Sequence, residues 1–230
     1  MKVGVVVFPG SNCDRDALHA ARLAGADAEL LWHETPDLHG SDAVVLPGGF
    51  AYGDYLRAGV LARFSPIMAA VRDHARRGGL VLGICNGFQV LAEAGLLPGA
   101  LLRNASLRFE HRWVRVSVER PDTPFTRGMP AGTELRMPVA HGEGCYYLPD
   151  APLAELEAAR QVVFRYAPPE GNPNGSVHDI AGIVDVTGRV CGLMPHPERA
   201  SERLLGSDDG LLLLRSLVES AAATAVGAAR

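Results

Sequence analysis

Gly79–Leu97, GLVLGICNGFQVLAEAGLL, changes character at its midpoint. Leu80–Ile84 is an unbroken apolar run, the pattern of a strand buried on both faces. From Asn86 to about Ala94 the apolar residues recur at helical spacing. Cys85 stands at the junction, with Gly83 two residues before it and Gly87 two residues after. G-x-C-x-G has the spacing of the G-x-S-x-G nucleophile elbow, with sulfur in place of oxygen. In a sharp strand-to-helix turn, side chains two residues either side would collide, and the glycines remove them. The helix N-terminus favours a thiolate, and the Asn86 N–H points to where an oxyanion would form. A lone thiol is more commonly a buried core residue. Cys85 therefore needs companions before it counts as a nucleophile.

Outward from this junction the chain alternates strand and helix. Lys2–Phe8 is a strand pattern, followed by the helical segment SNCDRDALHAARLAGA with Ser11, Asn12 and Asp14 as capping candidates. Ala28–Trp32 and Ala43–Leu46 are short strand patterns, and Val60–Arg76 has helical periodicity. This order predicts an α/β fold: an open, mostly parallel central sheet with helices on both faces. After residue 100 the pattern turns β-like. RWVRVSVE alternates, QVVFRYA is another run, and IAGIVDV and RVCGLMP flank Thr187-Gly188 as a hairpin. Extra antiparallel strands are thus expected in the C-terminal half, with a closing helix from Gly210 to about Val226. Strand patterns resume at once after the Pro/Gly-rich Ala167–Ser176, which reads as a loop. The expectation is one domain over residues 1–230.

Composition narrows the function. The formal net charge is −4 with no basic tract, which argues against nucleic acid or an anionic membrane as partner. No apolar run approaches a membrane span, and the N-terminal apolar run breaks at Pro9-Gly10, short of a signal peptide. A cytoplasmic protein is expected. The cysteines at 13, 85, 145 and 191 form no CxxC pair, so neither a zinc site nor disulfides are expected.

A cysteine nucleophile needs a base and a group to orient it. Of the eight histidines, His19, His33, His39 and His74 fall in helical or polar surface contexts and read as solvated. His111 and His178 have no obvious orienter. His196, in CGLMPHPERA, follows a strand and lies between Pro195 and Pro197, which stiffen and extend the backbone. Residues two apart in an extended chain face the same way, which places Glu198 beside His196. His141 in PVAHGEGCYYLP also has a carboxylate two residues on, Glu143. Its glycine neighbours predict mobility, which ranks it second as base and suggests a substrate or partner loop. DAVVLPGGFAYGD ends a strand at Gly48-Gly49, where the backbone can approach a substrate and offer a second oxyanion N–H.

GICNGFQ around Cys85, with His196-Pro-Glu198 near the C-terminus, resembles the class I (triad) glutamine amidotransferases, whose sheet is flavodoxin-like. FPGSNCDRD, LPGGFAYGDYLRAG, GICNGFQVLAEAGLLPGAL, HGEG, NPNGS and MPHPER are similar, in order and over nearly the whole chain, to the glutaminase subunits of phosphoribosylformylglycinamidine synthase. The resemblance implies Cys85, His196 and Glu198 as the triad and Gly49 and Asn86 as oxyanion donors. It further implies Gln89 and Gly48 in binding L-glutamine. It implies ammonia delivery to a large synthetase subunit, with a small third subunit, for amidation of formylglycinamide ribonucleotide in purine biosynthesis. No cofactor is implied on this chain, and ATP and magnesium belong to the synthetase. Cys145 departs from the pattern, where a basic residue is expected after HGEG. The residues alone also allow a stand-alone cysteine hydrolase or peptidase, a glutaminase of another pathway, or a binding module without catalysis.

Overall fold

The computed structural model describes residues 1–228, with side chains described as far as residue 223. In chain order the elements are β1 (Lys2–Val7), α1 (Asp14–Leu23), β2 (Asp27–Trp32), β3 (Ala43–Leu46), α2 (Ile67–Arg76), β4 (Leu80–Ile84) and α3 (Asn86–Glu93). Then come β5 (Ala100–Leu102), β6 (Glu110–Val118), β7 (Glu134–His141), β8 (Cys145–Tyr147), α4 (Asp150–Ala158) and β9 (Val162–Ala167). β10 (Ile180–Val184), β11 (Val190–Leu193) and α5 (Asp209–Ala228) complete the chain.

One sheet runs in the order β2-β1-β3-β4-β11-β10-β9-β6-β7. From β2 to β11 the neighbours are parallel, in the 2-1-3-4 order of doubly wound folds. From β11 onward they are antiparallel, so the added strands extend the same sheet. β3, β4 and β11 are buried at every residue, which requires cover on both faces and accounts for their unbroken apolar runs. β6 and β7 alternate buried and partly exposed residues instead. The expected hairpin at Thr187-Gly188 is the β10–β11 pair. Its second strand lies parallel to β4, and this joins the two halves of the sheet.

Several local expectations are corrected. None of the three capping candidates caps α1; its N-cap is Cys13, with no side-chain cap bond. Ser11 and Asn12 are held instead in a bridge to the loop after β3, and Ser11 Oγ accepts the Phe8 N–H at 3.1 Å. Val60–Arg76 is not one helix. Pro66 drives Ser65 into extended backbone (φ −58°, ψ 140°), leaving a 3₁₀ turn at Ala62–Phe64 before α2. His33 is buried, not solvated, and its Nδ1 lies 2.9 Å from the Tyr52 hydroxyl. His74 is also partly buried, and burial lowers its pKa. His178 does have a carboxylate partner, Glu157 at 3.0 Å, but its ring is largely exposed and the pair is remote from Cys85 in the sequence. Among the described residues no helix is long and apolar enough to cross a membrane.

The glycines around Cys85 are required by close approaches. A Cβ at Gly83 would lie 2.7 Å from the Gly87 backbone, and one at Gly87 would overlap the Leu46 carbonyl oxygen. The elbow is thereby pressed against the end of β3. Gly87→Ala is expected to cost about 3 kcal/mol, because rigid backbone rather than a movable side chain stands in the way. Denaturant unfolding measures this, and a loss below about 0.5 kcal/mol would contradict the packing.

Candidate active site

The expected site residues come together because they leave neighbouring parallel strands at their carboxyl ends. Gly48 and Gly49 follow β3, Cys85 follows β4, and His196 and Glu198 follow β11. Cys85 has φ 50° and ψ −105°, a conformation that side chains rarely adopt. It is the N-cap of α3, and the first helical bond, Gln89 N–H to Cys85 O at 3.1 Å, leaves the Asn86 N–H outside the ladder. Gly49, at φ +137°, pairs with Ser11 through two bonds, Phe50 N–H to Gly10 O and Asn12 N–H to Gly48 O. Neither bond uses the Gly49 N–H.

His196 and Glu198 are buried, and Nδ1 lies 2.6 Å from Glu198 Oε1. The route to this contact differs from the extended one expected. His196 itself is extended, but Pro197–Ala200 form a 3₁₀ turn that carries the carboxylate back to the ring. The His196 N–H donates to Pro138 O at 2.8 Å, which ties the turn to β7. Burial opposes an imidazolium here, yet the Glu198 carboxylate, with Cys85 and then Cys13, holds the His196 pKa well above its ordinary value. His196 Nε2 and Glu198 Oε2 are buried with no hydrogen-bond partner among the described residues.

His141 is not the mobile loop residue its glycines suggest. It ends β7, is buried, and has both ring nitrogens engaged. Nδ1 lies 3.1 Å from Asn104 Oδ1, an acceptor that fixes the proton there, and Asn174 Nδ2 faces Nε2 at 3.4 Å. Burial, with His196 next, lowers its pKa to about 4, so it is neutral at neutral pH. Asn174 of NPNGS also donates to Tyr166 Oη. This motif therefore braces the wall that carries His141.

A pocket of about 140 Å³ opens beside Cys85, lined also by Gly49, Asp54, Gln89 and residues 140–143. Gln89 sits one turn along α3 and is held at both ends. Its Nε2 donates to Glu143 O at 2.6 Å and its Oε1 accepts from Asn86 Nδ2 at 2.9 Å. Asn86 Nδ2 also donates to Asp54 Oδ1 at 3.1 Å. Asp54 is not among the expected site residues: LPGGFAYGDYLRAG points to the site through its glycines and to the family through its likeness, not through this carboxylate. Burial first, then the charge of Glu143, raises its pKa to about 6. The loop that presents it is strained, with φ near +55° at Tyr52, Asp54 and, further round, +69° at Leu56. Phe50 and Phe109, ring centroids 6.4 Å apart, flank the mouth. Cys145, which opens β8, does not line this pocket, and its thiol donates to Gly175 O at 3.1 Å.

Residues 1–208 match the model of the CobB/CobQ-like glutamine amidotransferase domain. The chain belongs to this glutamine amidotransferase family. It is 58% identical over 230 residues to the phosphoribosylformylglycinamidine synthase subunit PurQ of Gloeobacter violaceus, covering 97% of this chain and 99% of that one. The corresponding protein of Rubrobacter xylanophilus is 61% identical over 221 residues, covering 96% and 99%. Among solved structures, PurLQS from Thermotoga maritima superposes with a TM-score of 0.87 at 44% identity, over 95% of this chain and 97% of the other. A second Thermotoga maritima glutamine amidotransferase, at 20% identity and a TM-score of 0.59, covers 98% of each chain and shares the fold.

Proposed function

We propose that this amidotransferase is the glutaminase subunit of a phosphoribosylformylglycinamidine synthase. The observation that carries the reading is the Cys85 elbow beside the buried His196–Glu198 pair, in a chain similar over its full length to PurQ subunits. The Cys85 thiolate attacks the side-chain amide carbon of L-glutamine. The Gly49 and Asn86 N–H groups receive the oxyanion, each worth roughly 10²–10³ in kcat. His196 protonates the departing ammonia, leaving a thioester, and then takes a proton from the water that hydrolyses it to glutamate. Glu198 holds the imidazole in the tautomer this requires. Ammonia passes to a large synthetase subunit in a complex with a small third subunit, where ATP and magnesium drive amidation of formylglycinamide ribonucleotide. The setting is the cytoplasm, and this chain needs no cofactor of its own. Glutamine-dependent and ammonia-dependent synthesis by the reconstituted complex test the reading. Equal rates with and without this chain when glutamine is the donor would contradict it.

Within the pocket, the paired carboxylates of Asp54 and Glu143 suit the α-ammonium of glutamine, while Gln89 and Gly48 shape the walls. Asp54 ionises as pH rises through about 6. The expected KM for glutamine therefore increases as pH falls below that value. Asp54→Asn is expected to raise KM about tenfold with kcat little changed and to flatten this pH dependence. A variant with wild-type KM across the range would remove Asp54 from substrate binding.

A further inference from the structure

We propose that Cys13, His196 and Glu198 form an inhibitory site for a thiophilic divalent cation of the zinc class. Cys13 lies far in sequence from His196 and Glu198, so the spacing gives no metal signature, but all three are buried and their donor atoms lie within 4.8 Å of one another. A thiolate, an imidazole and a carboxylate are a zinc donor set, and ligand distances of about 2.0–2.3 Å require only side-chain adjustment to close on one ion. Glu198 Oε2 is buried without a hydrogen-bond partner, a costly state for a polar atom, and His196 Nδ1 already faces the same carboxylate at 2.6 Å. The absence of a side chain at Gly48 makes the cluster possible, since a Cβ there would lie 2.6 Å from His196 Cε1 and 3.3 Å from Cys13 Sγ.

The site has its own approach. Cys13, His196, His111 and Arg199 line a cavity of about 210 Å³, whereas Cys85 and Gln89 line the smaller pocket. The two share Gly49, Phe50, Phe109 and Ala140 along their common edge. Arg199 opposes a cation. Its Nη2 donates to Cys13 Sγ at 3.0 Å, and its Nε lies 3.7 Å from Asp16 Oδ2. Binding must displace the guanidinium and exchange the Cys13 S–H bond for a sulfur–metal bond, releasing the proton to solvent. The site is thus a reversible one rather than a permanent structural centre. An ion shared with Glu198 lies on the Nδ1 side of His196, where it displaces to solvent the proton held by Glu198 and so removes the orientation on which the base depends.

The test is titration of the full-length chain with Zn²⁺ against a chromophoric chelator, comparing wild type, Cys13→Ser, Cys85→Ala and Arg199→Gln, each checked for fold by circular dichroism. Cys13→Ser should weaken binding at least about tenfold. Cys85→Ala should stay within about threefold of wild type, and Arg199→Gln should tighten binding by removing a like charge. Binding lost in Cys85→Ala but kept in Cys13→Ser would place the ion on the nucleophile and overturn the proposal. No Zn²⁺ binding by the folded wild type would overturn it too. These readings do not depend on glutaminase activity, so they stand or fall separately from the proposed reaction. The inhibition itself rests on that reaction and is checked by Zn²⁺ sensitivity of glutamine turnover.

Discussion

Cys85→Ala is expected to lower glutamine-dependent turnover by about 10⁴–10⁶-fold, the scale seen when a covalent nucleophile is removed. Ammonia-dependent synthesis by the assembled complex should stay at the wild-type rate. The difference follows from the elbow, which holds one thiol at the end of β4 where glutamine would bind and contributes nothing to the synthetase reaction. Substitution at φ 50° introduces no new strain, because alanine carries the same Cβ as cysteine. A fold defect would lower both activities together. Parallel assays with the two nitrogen donors therefore separate chemistry from stability. Glutamine-dependent turnover within tenfold of wild type would remove Cys85 from the mechanism.

Glu198→Gln carries the second large effect. The carboxylate is buried and 2.6 Å from Nδ1, so its negative charge acts on the imidazole with little screening. That charge is a main reason the His196 pKa stands above its ordinary value. The neutral amide removes it, and His196 then gives up its proton at a lower pH. The limb of the kcat profile that reports this proton should shift downward in pH, with kcat reduced on the order of 10²–10⁴-fold. Cys85 should remain alkylable in the folded variant. An unchanged pH profile with near-normal kcat would show that Glu198 does not act through the imidazole.

The parallel half of the sheet was legible where β3 and β4 are buried on both faces and spell that out as apolar runs. β11, by contrast, reads only as a hairpin strand, and its parallel pairing with β4 is a long-range contact. The elbow was legible from Gly83 and Gly87, whose missing side chains are required by backbone contacts. His196 and Glu198 were found by their spacing, although a 3₁₀ turn rather than an extended chain joins them. The less legible parts depend on long-range contacts. β7 alternates as ELRMPVAH, but Pro138 weakens a strand reading, and only pairing with β6 settles it. His141 looked mobile because glycines flank it. Its rigidity comes from Asn104, 37 positions away, and from Asn174 of the NPNGS loop. Asp54 and Cys13 belong to motifs read for their glycines and their helix start. Their proximity to the site appears only when the ends of β1, β3, β4 and β11 are brought side by side.

The most direct test of the central claim is covalent labelling of the purified chain by a glutamine-mimicking electrophile such as a diazo-ketone analogue. The adduct is located by mass spectrometry, with and without excess glutamine and with and without the synthetase subunits. The account predicts one adduct, on Cys85, suppressed by glutamine. Labelling of Cys13 or Cys145 instead, or labelling of Cys85 that glutamine does not suppress, would contradict a glutamine-specific nucleophile at the β4–α3 turn.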